Sequence, residues 1–226
     1  METPPQSRTL APMSRSGLSG RRAEAARNDE AILASAREVF LADPDAPVSA
    51  VAEQASVGIS SLYRRYESKE DLLRKICGDG LALYIEIARD AVDDTASDPW
   101  ETFATFMKRI VAADTHALTR NLAGRFTPTP ELGEAASLAE DLNQRLVERA
   151  RTAGVLRTDV TSDDLTYIFE QISSVQGTSP ERTTQLRARF LTLHLDSLRA
   201  PGHTPLPGPP PTTDEQQARW NRSKPD

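Results

Sequence analysis

Residues 48–73 read VSAVAEQASVGISSLYRRYESKEDLL, and the reading of this stretch decides the fold. Pro47 suits a first helical position, and Val48, Val51, Ala52 and Ala55 recur at helical spacing, so a short helix ending near Ser56 is expected. A second short helix should cover Ile59 to Tyr66, with Ile59 and Leu62 turned inward and Ser60, Ser61, Arg64 and Arg65 left outside. Ser68-Lys69-Glu70-Asp71 resembles a capping box with Asp71 in place of Glu, and opens a longer helix carrying Leu72, Leu73, Ile76, Leu83, Tyr84 and Ile87. Two short helices around a tight corner, followed by a longer one, form a helix-turn-helix pattern whose second helix can enter a DNA major groove. An ordinary helical hairpin has the same spacing.

Working outward, Ile32, Leu33, Ala36, Val39 and Phe40 mark one face of a preceding helix that ends before Asp43-Pro44. Toward the C-terminus, Asp98-Pro99-Trp100-Glu101 caps a helix bearing Trp100, Phe103, Phe106, Met107 and Ile110. Thr127-Pro128-Thr129-Pro130 precedes a helix that Gly154 closes, Ser162-Asp163-Asp164 caps a helix ending at Gly177, and Ser179-Pro180-Glu181 starts the last. No segment alternates like a strand. The fold class expected is all-α: a three-helix helix-turn-helix domain at 21–77, then a helical ligand-binding and dimerisation domain at 78–199. Residues 1–20 and the Pro-rich 200–226 are expected to be a disordered arm and tail.

Composition sets bounds on function. Cys77 is the only cysteine, so an intrachain disulfide and a cysteine-rich metal site are excluded. No apolar run approaches membrane-spanning length and the first residues lack a secretory signal, so a cytoplasmic protein is expected, with no membrane partner. The net charge of -6 argues against indiscriminate coating of nucleic acid. Residues 1–28, however, hold Arg8, Arg15, Arg21, Arg22 and Arg27 against only Glu2 and Glu24, which leaves a local basic surface available.

Residues 30–77 also resemble the DNA-binding domain of the TetR family. The resemblance rests on an amphipathic first helix, on Ala52, Ala55 and Val57 framing the turn, and on Leu62-Tyr63 followed by Tyr66-x-Ser68-Lys69-Glu70-x-Leu72. It implies a regulator that binds a double-stranded, palindromic operator, most often as a repressor released by a small molecule. It also implies base contacts from Ser60, Ser61 and Arg64 and phosphate contacts from Tyr63 and Lys69. Three positions depart from the family pattern: Ser56 stands where glycine is usual, Arg65 and Tyr66 replace histidine and phenylalanine at the DNA edge, and Ala46-Pro47 replaces a hydroxyl residue. Ser56 must either adopt a positive φ or open the corner.

The last helix has two apolar faces, Leu186, Phe190 and Leu193 on one, Leu191, Leu195 and Leu198 on the other. With the family's habit of pairing its last two helices, the second face together with Leu165, Phe169 and Ile172 is expected to form a homodimer interface. Trp100, Phe103, Phe106, Met107, His116, Phe126, Tyr167 and Gln171 are the expected lining of a pocket for an unidentified ligand. His116 has no partner at metal-ligand spacing, so neither metal nor cofactor is expected. Gly78 and Gly80 are expected to soften or break the helix joining the two domains. A helical-bundle enzyme is the competing class, but there is no His-acid pair at metal spacing, no phosphate loop and no nucleophile motif. A helical binding or scaffold protein that has lost DNA binding is the other, and the Tyr63, Arg64, Arg65 and Lys69 cluster argues against it.

Overall fold

The computed structural model describes residues 16–122, 124–201 and 204–222. Ten helices follow in order among them: α1 (Ser16–Ala42), α2 (Val48–Gln54), α3 (Ile59–Tyr63), α4 (Lys69–Asp93), α5 (Pro99–Ala113), α6 (Thr115–Leu122), α7 (Pro130–Thr152), α8 (Ser162–Ser173), α9 (Pro180–Leu198) and α10 (Thr213–Arg222). The caps expected at Ser68, Asp98 and Ser179 are in place, while α8 is capped by Thr161 rather than by Ser162. Ser68, Asp98, Thr129 and Ser179 each accept a backbone N–H of the first turn, and a carboxylate oxygen of Asp164 closes a capping box on Thr161. Most of the expected arm, residues 1–15, lies outside the described residues, as do the side chains of Arg21, Arg22 and Trp220, while α1 already begins at Ser16.

Two buried clusters form. The first joins Ile32, Ala36 and Phe40 of α1, Val51 of α2, Leu62 of α3 and Leu72, Leu73 and Ile76 of α4. Leu118, Leu122 and Phe126 complete it, so α6, a helix the sequence reading did not separate from its neighbours, packs into the N-terminal head. The second cluster joins the later half of α4 with α5, α7, α8 and α9. The break before α6 is made by Asp114 at φ 50, a conformation unusual for a residue with a Cβ.

α4 runs unbroken from Lys69 to Asp93 through Gly78 and Gly80, so the glycines do not break it. A Cβ on Gly78 would lie 4.0 Å from Leu132 Cδ1, and one on Gly80 would lie 3.9 Å from Thr115 Cβ. Both glycines face neighbouring helices at ordinary contact distance. The Pro-rich tail, expected to lack structure, is held to the body: Arg157 donates to Thr204 O at 2.6 Å, and Asp159 accepts from Leu206 N at 3.0 Å. α10 then reaches α7 and α8, where Thr213 and Gln216 bond to Glu140 and Asp163.

Candidate DNA-reading head and ligand cavity

The corner between α2 and α3 is tight because Ser56 takes φ 54, while Val57 N donates to Ala52 O at 3.0 Å. A side chain in this region costs roughly 1 kcal/mol relative to glycine. The open-corner alternative is therefore not adopted. α3 is shorter than expected, ending at Tyr63, although Arg65 and Tyr66 still donate to Leu62 O. Gly58, Ile59 and Ser60 are all exposed, so its first turn is open to solvent. Ile59 is thus 39% exposed rather than turned inward, whereas Leu62 is fully buried. Tyr63 is 47% exposed, Arg64 is exposed, and Arg64 Nη2 donates to Ser61 Oγ at 3.2 Å.

Two of the expected contact residues, Arg65 and Lys69, turn toward the protein, and Tyr66 beside them does the same. Arg65 Nη1 pairs with Asp29 Oδ1 of α1 at 2.9 Å, and Tyr66 Oη donates to the same oxygen at 2.9 Å. Burial, and then this bond to Asp29, push the Tyr66 phenol well above its ordinary pKa, which keeps it a donor. Lys69 Nζ donates to the carbonyls of Pro44 at 3.1 Å and Ala46 at 2.8 Å and lies 5.0 Å from the centre of the Phe40 ring. Two of its three N–H groups therefore tie the α1–α2 loop to the start of α4, leaving at most one for a phosphate. Desolvation lowers its pKa. Asp29, the acceptor that fastens α3 to α1, was not singled out in the sequence, where it is one more acid on a long helix.

The second site is a cavity of about 670 Å³ enclosed by α4, α6, α7 and α8, with α10 at its mouth. Of the eight residues expected to line a pocket, His116 and Phe126 do. Trp100, Phe103, Phe106 and Met107 instead fill the second core, each at most 6% exposed, because their spacing is that of one buried stripe. Tyr167 and Gln171 lie away from the cavity, Gln171 exposed on α8. The walls are supplied by Leu81 and Tyr84 of α4 and by the small residues Gly133 and Ala136 of α7. Tyr84 Oη donates to Asn143 Oδ1 at 2.7 Å, both buried, and burial raises the phenol's pKa. Asn143 interrupts the otherwise apolar row Ala139, Leu142, Leu146, Val147, and that interruption was the legible signal of a polar feature here.

The expected dimer residues are also corrected. Leu165, Phe169, Ile172, Leu191, Leu195 and Leu198 are each no more than 5% exposed and belong to the protomer's own core, packed with α5 and α7. The face left open on α9 is the other one, with Phe190 42% and Leu193 55% exposed.

The profile described as bacterial regulatory proteins, tetR family, matches residues 32–76, and that of the transcriptional regulator SbtR-like C-terminal domain matches residues 98–200. The chain belongs to the TetR family. Among solved structures, this TetR-family regulator is similar to the TetR transcription regulatory protein from Mycobacterium vanbaalenii, with 25% identity, 79% of this chain and 99% of that one covered, and a TM-score of 0.51. The fold is shared with LfrR from Mycobacterium smegmatis, solved in complex with proflavine, at 20% identity, 80% and 99% coverage and a TM-score of 0.54. It is shared too with the ketosteroid regulator KstR2 of Mycobacterium tuberculosis, at 18% identity, 76% and 95% coverage and a TM-score of 0.60. No curated protein sequence matches significantly. No helix among the described residues is long and apolar enough to cross a membrane, and no group of three His, Cys, Asp or Glu among them is placed to hold a metal.

Proposed function

We propose that this TetR-family regulator is a cytoplasmic repressor, without catalytic activity of its own, that binds a palindromic operator as a homodimer and leaves it when a small molecule occupies the cavity. The observation that carries the DNA half is the uncovered surface of α3, where Ile59, Ser60, Tyr63 and Arg64 stand together in solvent. An Arg fork suits guanine O6 and N7, an exposed isoleucine suits a thymine methyl, and Tyr63 and Ser61 suit phosphate or base edges. Arg65 and Lys69 take positioning roles, holding α3 and the α1–α2 loop, with at most a secondary phosphate contact. The α9 stripe of half-buried Leu186 and exposed Phe190 and Leu193, with the outer side of α8, is the dimer face, and a two-fold pair would set two α3 helices about 34 Å or a multiple of that apart.

The ligand half rests on the cavity, whose volume falls within the range of small-molecule sites, and on the small-molecule complex of LfrR. Cys77 and Phe126 line the cavity and also belong to the core of the head, so a ligand there bears directly on the packing of α4 and α6. The test is selection of bound duplexes from random sequence, followed by Arg64→Ala. The substitution should weaken the selected site by about 1 to 3 kcal/mol and relax one base position per half-site. Wild-type affinity and selectivity in the variant would remove Arg64 from base reading.

A further inference from the structure

The inference concerns what the cavity takes, and it rests on the reading of that cavity as the ligand site. Its inner walls are apolar or neutral: Leu81, Phe126 and Leu132, with Tyr84 bonded to Asn143. His116 keeps part of its surface open to the cavity, while its Nδ1 is buried with no partner. Its ring stands 5.4 Å from that of Tyr84 and 4.8 Å from that of Phe169. Burial takes its pKa down to about 4, so at neutral pH it places no positive charge in the wall. The charges lining the cavity are Glu140 and Asp163, both acidic and both at the mouth.

These carboxylates are short of donors. The Thr213 hydroxyl lies 2.7 Å from Glu140 Oε1 and 3.5 Å from Asp163 Oδ1, and its one hydrogen serves only the nearer. Gln216 Nε2 supplies the other donor, 2.9 Å from Asp163 Oδ1. Neither carboxylate is paired with a Lys or Arg among the described residues. Burial, with the neighbouring charge of Glu140 next, raises the pKa of Asp163. The donors that do reach the pair come from the C-terminal strap, which Arg157 and Asp159 pin on the way. Neutral strap donors therefore occupy the place a cation would fill.

We propose that the cavity receives an organic cation, its apolar body among Leu81, Tyr84, His116 and Phe126 and its charged head on Glu140 and Asp163, displacing Thr213 and Gln216 of the strap. Charge-assisted bonds to carboxylate are roughly twice as strong as neutral ones, so the exchange favours a charged guest over a neutral guest of the same shape.

The test uses the full chain without DNA and two probes on one tricyclic frame at pH 8, followed by fluorescence: 9-aminoacridine, which is protonated there and presents N–H donors, and uncharged acridine. The cation should bind at least about 10-fold more tightly than acridine. Glu140→Gln with Asp163→Asn should bring that ratio near one while leaving acridine binding intact, which also reports that the cavity is still folded. Thr213→Val with Gln216→Leu should tighten the cation several-fold and leave acridine unchanged, because only the cation competes with the strap. Equal affinities in the wild type, a preference that survives loss of both carboxylates, or failure of both probes to bind would each overturn the proposal. Operator binding is scored separately by mobility shift. A charge preference in a chain that binds no operator sinks the repressor reading alone, and release by both probes equally sinks the cation alone.

Discussion

Asp29 fastens the reading helix to α1, and removing it separates two effects of opposite sign. Its Oδ1 accepts from Tyr66 Oη and from Arg65 Nη1, each at 2.9 Å. Asp29→Ala leaves the hydroxyl of a tyrosine only 8% exposed without its acceptor, which should cost about 1 to 3 kcal/mol of stability. The ion pair adds little, about 0 to 1 kcal/mol, because the Arg65 and Asp29 side chains are 26% and 38% exposed and water screens them. Asp29→Asn keeps an oxygen for Tyr66 and drops only the charge, so its cost should stay under about 1 kcal/mol. Both variants release the Arg65 guanidinium at the edge of α3. Affinity for random duplex should therefore rise, and the slope of log affinity against log salt should steepen by about one unit. Urea unfolding gives the first quantity, and fluorescence anisotropy across a salt series gives the second. An unchanged slope in Asp29→Asn would mean that Arg65 does not face DNA, and an Asn variant as unstable as the Ala variant would mean that the charge, not the acceptor, holds Tyr66.

Leu193→Glu places a charge on the exposed face of α9 and should yield folded monomers by sedimentation, whereas Leu195→Glu buries that charge in the protomer's own core and should prevent folding. If Leu193→Glu stays dimeric, the dimer lies elsewhere. His116 is neutral when folded, with its pKa near 4 against an ordinary 6.5, so the unfolded chain binds its proton first as pH falls. Stability should drop between pH 6.5 and 4 by up to about 1.4 kcal/mol per unit, and His116→Gln should flatten that part of the profile. Gly78→Ala, off the cavity lining, meets only an ordinary contact and should stabilise the chain by about 1 kcal/mol, with the effect of ligand on operator affinity unchanged. A changed coupling would restore a hinge in α4.

Several helix starts were legible because their causes are local: Ser68, Asp98 and Ser179 announce first turns by side-chain chemistry alone. The start of α6 was not, since it depends on Asp114 at positive φ, a conformation that Asp takes more readily than most side chains but that its identity alone does not announce. The faces of α9 show a different limit. Periodicity finds both apolar stripes but carries no sign, and only the packing of α5 and α7 decides that Leu191, Leu195 and Leu198 go inside. The pocket failed for a related reason. Large aromatics mark where space is filled, whereas this cavity exists where Gly80, Gly133 and Ala136 leave it empty. In the head, exposure of Ser60 and Arg64 followed from the pattern, but Arg65, Tyr66 and Lys69 found partners at Asp29, Pro44 and Ala46, between 23 and 37 residues away. The tail read as disordered because proline-rich composition says nothing of the distant Arg157, Asp159, Glu140 and Asp163 that hold it.

The shared wall between cavity and head bears on how occupancy could reach DNA. Bending α4 at its glycines would break several i to i-4 hydrogen bonds, each worth about 1 kcal/mol net, while tilting it whole only repacks side chains. α6 is placed to impose such a tilt. His116 and Phe126 line the cavity, Leu118 and Leu122 between them are buried in the head, and Asn121 Nδ2 donates to Leu41 O of α1 at 3.2 Å. The loop after α6 is stitched to the start of α4, with Thr127 N donating to Glu70 at 2.7 Å and Arg74 donating to Thr127 O at 3.0 Å. From Gly80 to Lys69 α4 spans roughly 17 Å, so a tilt of about 5° displaces its start by about 1.5 Å. In a dimer the two reading helices move in opposite senses, doubling the change in their separation. A guest that fits only the tilted arrangement then binds that state better, and this difference in affinity is all the work it can do on the operator.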